Sequence, residues 1–126
     1  MLEDARLIGF IATSKPGESR VFYRDILGLR LLEESEHGMA FMSGGQMLRV
    51  QKVGSFKPHS FTAAGWAVPD IAQCLADLAA SGVEAIDYDG LEQDEAGVWS
   101  PAPGVRIAWF RDPDGNTLSL TQLPTD

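Results

Sequence analysis

Cysteine is almost absent from this chain of 126 residues: Cys74 stands alone, so no disulfide forms within it. A single thiol fits a reducing compartment. Long apolar runs are missing too. Nothing approaches the roughly 18 consecutive apolar residues of a membrane span. The N-terminus, Met1-Leu2-Glu3-Asp4, is acidic where an export signal is basic. The expectation is a soluble cytoplasmic protein with no membrane partner. Bases are scarce: 10 Lys and Arg against 18 Asp and Glu give a net charge of −8, the wrong sign for a nucleic-acid binder. There is no Gly-x-Ser-x-Gly elbow and no glycine-rich loop ahead of a helix, so nucleophilic hydrolysis and phosphate cradling lack their usual carriers. Histidine occurs only as His37 and His59.

What is present is ordinary globular composition, 44% hydrophobic and 22% charged, at the length of one domain. Apolar alternation marks strands at Leu7–Thr13, Leu29–Glu34, Ala40–Met42 and Gln46–Lys52. Lys15-Pro16-Gly17 opens a helix to Leu27, with Phe22 and Ile26 on one face and Gly28 as its stop. The second half repeats the order. A strand at Phe61–Val68 leads to a capping box of Asp70 and Gln73. A helix to Gly82 then carries the apolar stripe Ile71, Cys74, Leu75 and Leu78, which places Cys74 in the core. A short strand at Glu84–Ile86, a loop holding Trp99, and strands at Val105–Arg111 and Thr117–Leu123 follow. Two tandem βαβββ modules, about 5–52 and 61–123 around a linker at about 53–60, make a single α+β domain.

Side chains two apart on a strand share a face. A turn from Asp112 to Asn116 pairs Arg111 with Thr117 and Trp109 with Ser119. Ala108, Phe110, Leu118 and Leu120 then form an apolar face for helices to cover, while Ile107, Trp109, Ser119 and Thr121 form the other. Between Glu84 and Glu95 lie six acids and no base, which reads as a solvated loop or as an anionic rim attracting a cation.

Phe22-Tyr23 with Leu27-Gly28, and Arg111-Asp112-Pro113-Asp114-Gly115-Asn116 between matching strands, resemble the vicinal oxygen chelate superfamily. That superfamily takes in glyoxalase I, bleomycin- and fosfomycin-resistance proteins and extradiol dioxygenases. The resemblance spans about residues 5–123 and implies a curved, cup-like mixed sheet with helices outside, usually in a homodimer. In metal-dependent members, His, Glu or Gln ligands come from the first and last strand of each module. The corresponding positions here are Ile8, Arg49, Ala63 and Ser119. Ile and Ala carry no donor, Arg brings a positive charge and Ser is weak alone, so no metal and no other cofactor is expected.

The remaining expectation is a small-molecule site on the cup's inner face. Ile8, Phe10, Met47, Trp109 and Ala63 supply apolar surface, and Arg49, Gln51, Ser119 and Thr121 supply fixed polar groups. His59 stands at the mouth and Trp99 on a lid or interface. Arg49 is either an anchor for an anionic ligand or the partner of an internal carboxylate. A buried internal pair would cost about 3–5 kcal/mol to break. Three functions compete: metal-independent binding of a small organic molecule, as in bleomycin-resistance proteins; a glyoxalase-, lyase- or dioxygenase-like enzyme with a displaced metal site; and an interaction module whose pocket is filled by Trp109 and Met47.

Overall fold

Thr13 ends the first strand, and its hydroxyl is where the first helix is anchored. In the computed structural model, which describes residues 1–125, Thr13 Oγ1 accepts from Lys15 N–H at 3.0 Å and from the Ser19 hydroxyl at 2.9 Å. The strand is β1 (Ile8–Thr13) and the helix α1 (Pro16–Arg20), with a proline in its first turn where the missing N–H costs nothing. The helix does not continue regularly to Leu27. It passes into a π-helical segment, Val21–Ile26, whose wider repeat is closed by Leu27 N–H donating to the Phe22 carbonyl at 2.9 Å. This brings adjacent Phe22 and Tyr23 inside together, at 4% and 0% exposure, whereas Ile26 is only half-buried.

The first sheet adds β2 (Arg30–Glu34), β3 (Gly38–Ser43) and β4 (Gln46–Lys52) in the order β1-β4-β3-β2. The outer pair β1–β4 is parallel and the others are antiparallel. The second sheet repeats the plan. Strands β5 (Thr62–Ala67), β6 (Trp99–Ala102), β7 (Val105–Arg111) and β8 (Thr117–Gln122) run in the order β5-β8-β7-β6, again with a parallel outer pair. A parallel pair needs a crossover, which α2 (Ile71–Ala80) supplies in this half. The chain is thus an α+β protein of two tandem four-stranded modules, compact in themselves as residues 1–58 and from His59 onward.

Each sheet buries one face. In the first module Met39, Phe41, Leu48 and Val50 are buried, and the Tyr23 ring lies 5.8 Å from that of Phe41. In the second, α2 packs on β7 and β8, and Ile71, Leu75 and Leu78 are buried, as are Ala108, Phe110, Leu118 and Leu120. Each large side chain so removed from water contributes about 1.5–3 kcal/mol. Cys74 departs from the expected stripe: it sits at its margin, half-buried, and burial followed by Asp77 and Asp70 raises its thiol pKa. The capping box is half formed. Asp70 Oδ1 accepts from Gln73 N–H at 3.1 Å, but the Gln73 amide turns forward to Asp77 at 2.9 Å instead of back.

The strand expected at Glu84–Ile86 does not form. Ile86 N–H donates to the Trp109 carbonyl at 2.8 Å, yet the Ile86 carbonyl is taken by Gln93 Nε2 at 2.9 Å, so the ladder stops after one rung. The place beside β7 goes to Trp99–Ala102, expected as loop, through Trp99↔Ile107 and Ala102↔Val105. The β7–β8 hairpin has the expected register, Arg111↔Thr117 and Trp109↔Ser119. Its turn is tied by buried Asp112, which accepts from Asp114 N–H, Asn116 N–H and Asn116 Nδ2 at 2.9–3.0 Å. No described helix is long and apolar enough to cross a membrane.

Glu34 links three elements of the first module. Arg20 of α1 grips both its oxygens at 2.6 Å, and Lys52 Nζ at the end of β4 lies 2.8 Å away. The Arg20 and then the Lys52 hydrogen bonds lower its pKa from 4.5 to about 2. A carboxylate depressed in the folded state stabilises fully above its unfolded pKa and loses that contribution as pH falls through the folded one. The network is partly solvated, so we expect a contribution of about 1 kcal/mol. Urea unfolding should therefore show wild type losing its margin over Glu34→Gln as pH drops from 5 towards 2 (about 1 kcal/mol). A pH-independent margin would contradict the pairing.

Candidate functional site

The uncovered face of each sheet is fixed by its parallel outer pair. In the first module Ile8 lies opposite Met47, Phe10 opposite Arg49, and Ala12 opposite Gln51. Ile8 and Phe10 are 45% and 55% exposed, Met47 is half-buried and Gln51 exposed. The next strands continue the Phe10–Arg49 row to Ala40 and then Glu33. Ala40 has only a methyl group, so Arg49 reaches across it to Glu33, Nη1 to Oε1 3.7 Å. The two side chains remain 32% and 71% exposed. Arg49 thus has an internal partner but is not a buried charge, and the large penalty attached to that case does not apply.

In the second module β5 and β8 pair Gly65 with Ser119 and Ala67 with Thr121, and a register shift falls between Thr62 and Ala64. Ala63, expected as an apolar lining residue at the third ligand position, is the exposed residue at that shift, and Gly65 is the one that stands across from Ser119. A Cβ on Gly65 would collide with Ser119 Oγ, so the glycine is what admits the serine side chain there. Across β8, Ser119 faces Trp109 and Thr121 faces Ile107; both polar side chains are half-buried.

Trp109 is the centre of this face. Its indole N–H donates to Thr62 Oγ1 at 3.1 Å. Its ring stacks with Trp99 at 6.0 Å and 29°, and Tyr88 meets it edge-on at 5.4 Å and 89°. Offset-stacked and edge-to-face pairs each add about 0.5–1.5 kcal/mol beyond area burial. Three half-buried aromatic rings are therefore held in fixed orientation on the second module. Trp99 joins through its strand pairing with Ile107. His59, exposed, stacks on Phe61 at 4.7 Å rather than on the Trp109 cluster. Tyr88, Thr62 and Gly65 were not foreseen. Tyr88 lies in an acidic loop with no periodicity and reaches Trp109 beside the single Ile86–Trp109 rung, whereas a glycine within a strand pattern is itself a sign of close approach.

The donor set does not suit a divalent metal. The four strand positions hold Ile8, Arg49, Ala63 and Ser119, and among the described residues no group of three His, Cys, Asp or Glu side chains is arranged to hold an ion.

Two four-stranded modules, each with a parallel outer pair and a helix after its first strand, the second closed by the Asp112 turn between β7 and β8, define a glyoxalase-type architecture. The chain belongs to the Glyoxalase/Bleomycin resistance protein/Dioxygenase superfamily, whose sequence profile matches residues 7–120. No curated protein matches it in sequence. Among solved structures it is similar to TnmS3, an antibiotic binding protein from Streptomyces sp. CB03234 (23% identity, 99% of each chain covered, TM-score 0.72). It is also similar to the fosfomycin resistance protein FosX from Listeria monocytogenes (12% identity, 94% of this chain and 93% of that one, TM-score 0.75). A third is a lactoylglutathione lyase from Agrobacterium tumefaciens (17% identity, 97% and 96%, TM-score 0.71). At these identities the likeness establishes the fold.

Because the Arg49–Glu33 pair is solvated, Arg49→Ala should lower stability by less than about 1 kcal/mol in chemical denaturation. A loss of about 3 kcal/mol or more would instead mark a desolvated pair.

Proposed function

We propose that the protein binds a small organic molecule without a metal, on the open face of its second module. The observation that carries this reading is the Trp109 cluster: a half-buried indole fixed by Thr62, flanked by Trp99 and Tyr88, with Ser119 and Thr121 beside it on the sheet. Apolar rings with a few fixed polar groups are the usual lining of a ligand site. Rings already held in place lose little entropy when a planar group stacks on them. Ala63 and His59 are proposed as further contacts there, and Trp99 as a second stacking surface; on the first module, Arg49, Gln51, Ile8, Phe10 and Met47 are proposed as ligand contacts of that module's own open face. The acidity of the chain, −8 overall, favours a basic ligand. An antibiotic binding protein of similar fold shows that this architecture can serve a binding role. We further propose a cytoplasmic homodimer, in which a partner subunit covers the outer strand edges.

One observation favours a rival. The Trp109 N–H is satisfied internally and its ring is edge-packed by Tyr88, which is also how a self-filled, non-binding face would be built.

A thermal-shift panel of heteroaromatic antibiotics, bleomycin among them, separates the two. A ligand at a hundredfold excess over its Kd adds about 2.7 kcal/mol, and for a domain of this size about 10 °C in Tm. We expect at least one compound to reach this, and Trp109→Ala to abolish the shift. A panel without shifts would favour the self-filled face.

A further inference from the structure

We propose a second binding site, for an aliphatic polyamine, in a groove on the other side of the second module. The groove is open to solvent, has a volume of about 450 Å³ between α2 and the loop 83–97, and has no lining residue from a strand. That volume is within the range of small-molecule sites, about 300–1,000 Å³.

The walls are built from small side chains. Ala72, Ala76 and Ala79 recur at helical spacing along one face of α2, exposed to the groove. Opposite them, Gly97 lies so close to Ala85 that an added Cβ would come within 2.7 Å of the Ala85 methyl. The loop is a fixed wall although it is not a strand. The Gln93 side chain accepts from Tyr88 N–H and donates to the carbonyls of Ile86 and Gly97, all at 2.8–2.9 Å.

Polarity in the lining is of one sign. Glu84, Asp87 and Glu95 are exposed carboxylates with no ion pair or hydrogen bond among the described residues, and no base lines the groove. The imbalance belongs to the whole module. Residues 1–58 carry seven acids and eight bases, whereas residues 59–126 carry eleven acids and two bases. One of those two bases, Arg106, is already drawn to Asp94 at 3.9 Å.

These features select the occupant. An anion is repelled. A planar aromatic cation finds no ring in the lining to stack on. A slender chain of methylenes bearing ammonium groups lays its apolar length on the alanine methyls and its charges against the three carboxylates. Exposed pairs are individually weak, so binding is modest and salt-sensitive.

Titration of the full chain with spermine at low ionic strength, followed by amide chemical shifts, tests the assignment. Saturable shifts should cluster at Ala72, Ala76, Ala79, Ala85 and Gly97. The triple variant Glu84→Gln, Asp87→Asn, Glu95→Gln should weaken binding at least about tenfold. Ala76→Phe, which fills the groove from an exposed helix position and keeps every charge, should do the same. The proposal is overturned if Ala76→Phe binds as wild type. It is also overturned if magnesium ions at equal charge reproduce the shifts, or if the shifts fall on the Trp99 and Trp109 indoles. The last outcome would place the cation on the open face and leave the ligand-binding reading of that face intact.

Discussion

The parallel pairing of the first and last strand in each module is the constraint on which the rest depends. Register in a sheet decides which side chains share a face, and a slip of one residue exchanges the two faces. With Phe10 opposite Arg49 and Gly65 opposite Ser119, the covered faces take Leu48, Val50, Leu118 and Leu120. The open faces keep Ile8, Met47, Trp109 and Thr121. The pairing also requires a crossover from one outer strand towards the other. Thr13 in the first module, and Asp70 with Gln122 in the second, tie the start of each helix to those strands.

Much of this was legible in the residues because alternation is strict where a sheet has one wet face. The β7–β8 register could be read from the Asp112–Asn116 turn alone, and β4 from Gln46–Lys52. What escaped lies in contacts that neither alternation nor helical periodicity encodes. Gln93 takes the Ile86 carbonyl and ends a strand that sequence alternation would start. Glu34 gathers Arg20 and Lys52, which lie far from it in sequence. The π-helical turn turns Tyr23 inward in place of Ile26, and nothing in a helical periodicity announces it.

The site was legible in part. The metal-ligand positions could be counted and found to hold poor donors, and Trp109 and Ser119 could be put on one face. The register shift at Ala63 could not be counted from either end, so Gly65 was overlooked, and with it the reason a serine side chain fits beside the neighbouring strand. Arg49 shows how a local reading misleads about magnitude. A guanidinium on a sheet face suggests a buried charge, yet Ala40 leaves room for it to lie across the strand towards Glu33 in contact with solvent.

The same architecture elsewhere holds a lyase and an antibiotic binding protein, so chemistry rests on what stands at a few strand positions. Here those positions hold Ile8, Arg49, Ala63 and Ser119, a donor set that argues against coordination of a divalent metal. Elemental analysis of protein purified without chelator tests this claim most directly. The account predicts substoichiometric zinc, nickel, manganese and iron, with ligand-induced thermal shifts unchanged by EDTA. One equivalent of any of these metals per chain, lost together with ligand binding on chelation, would contradict it.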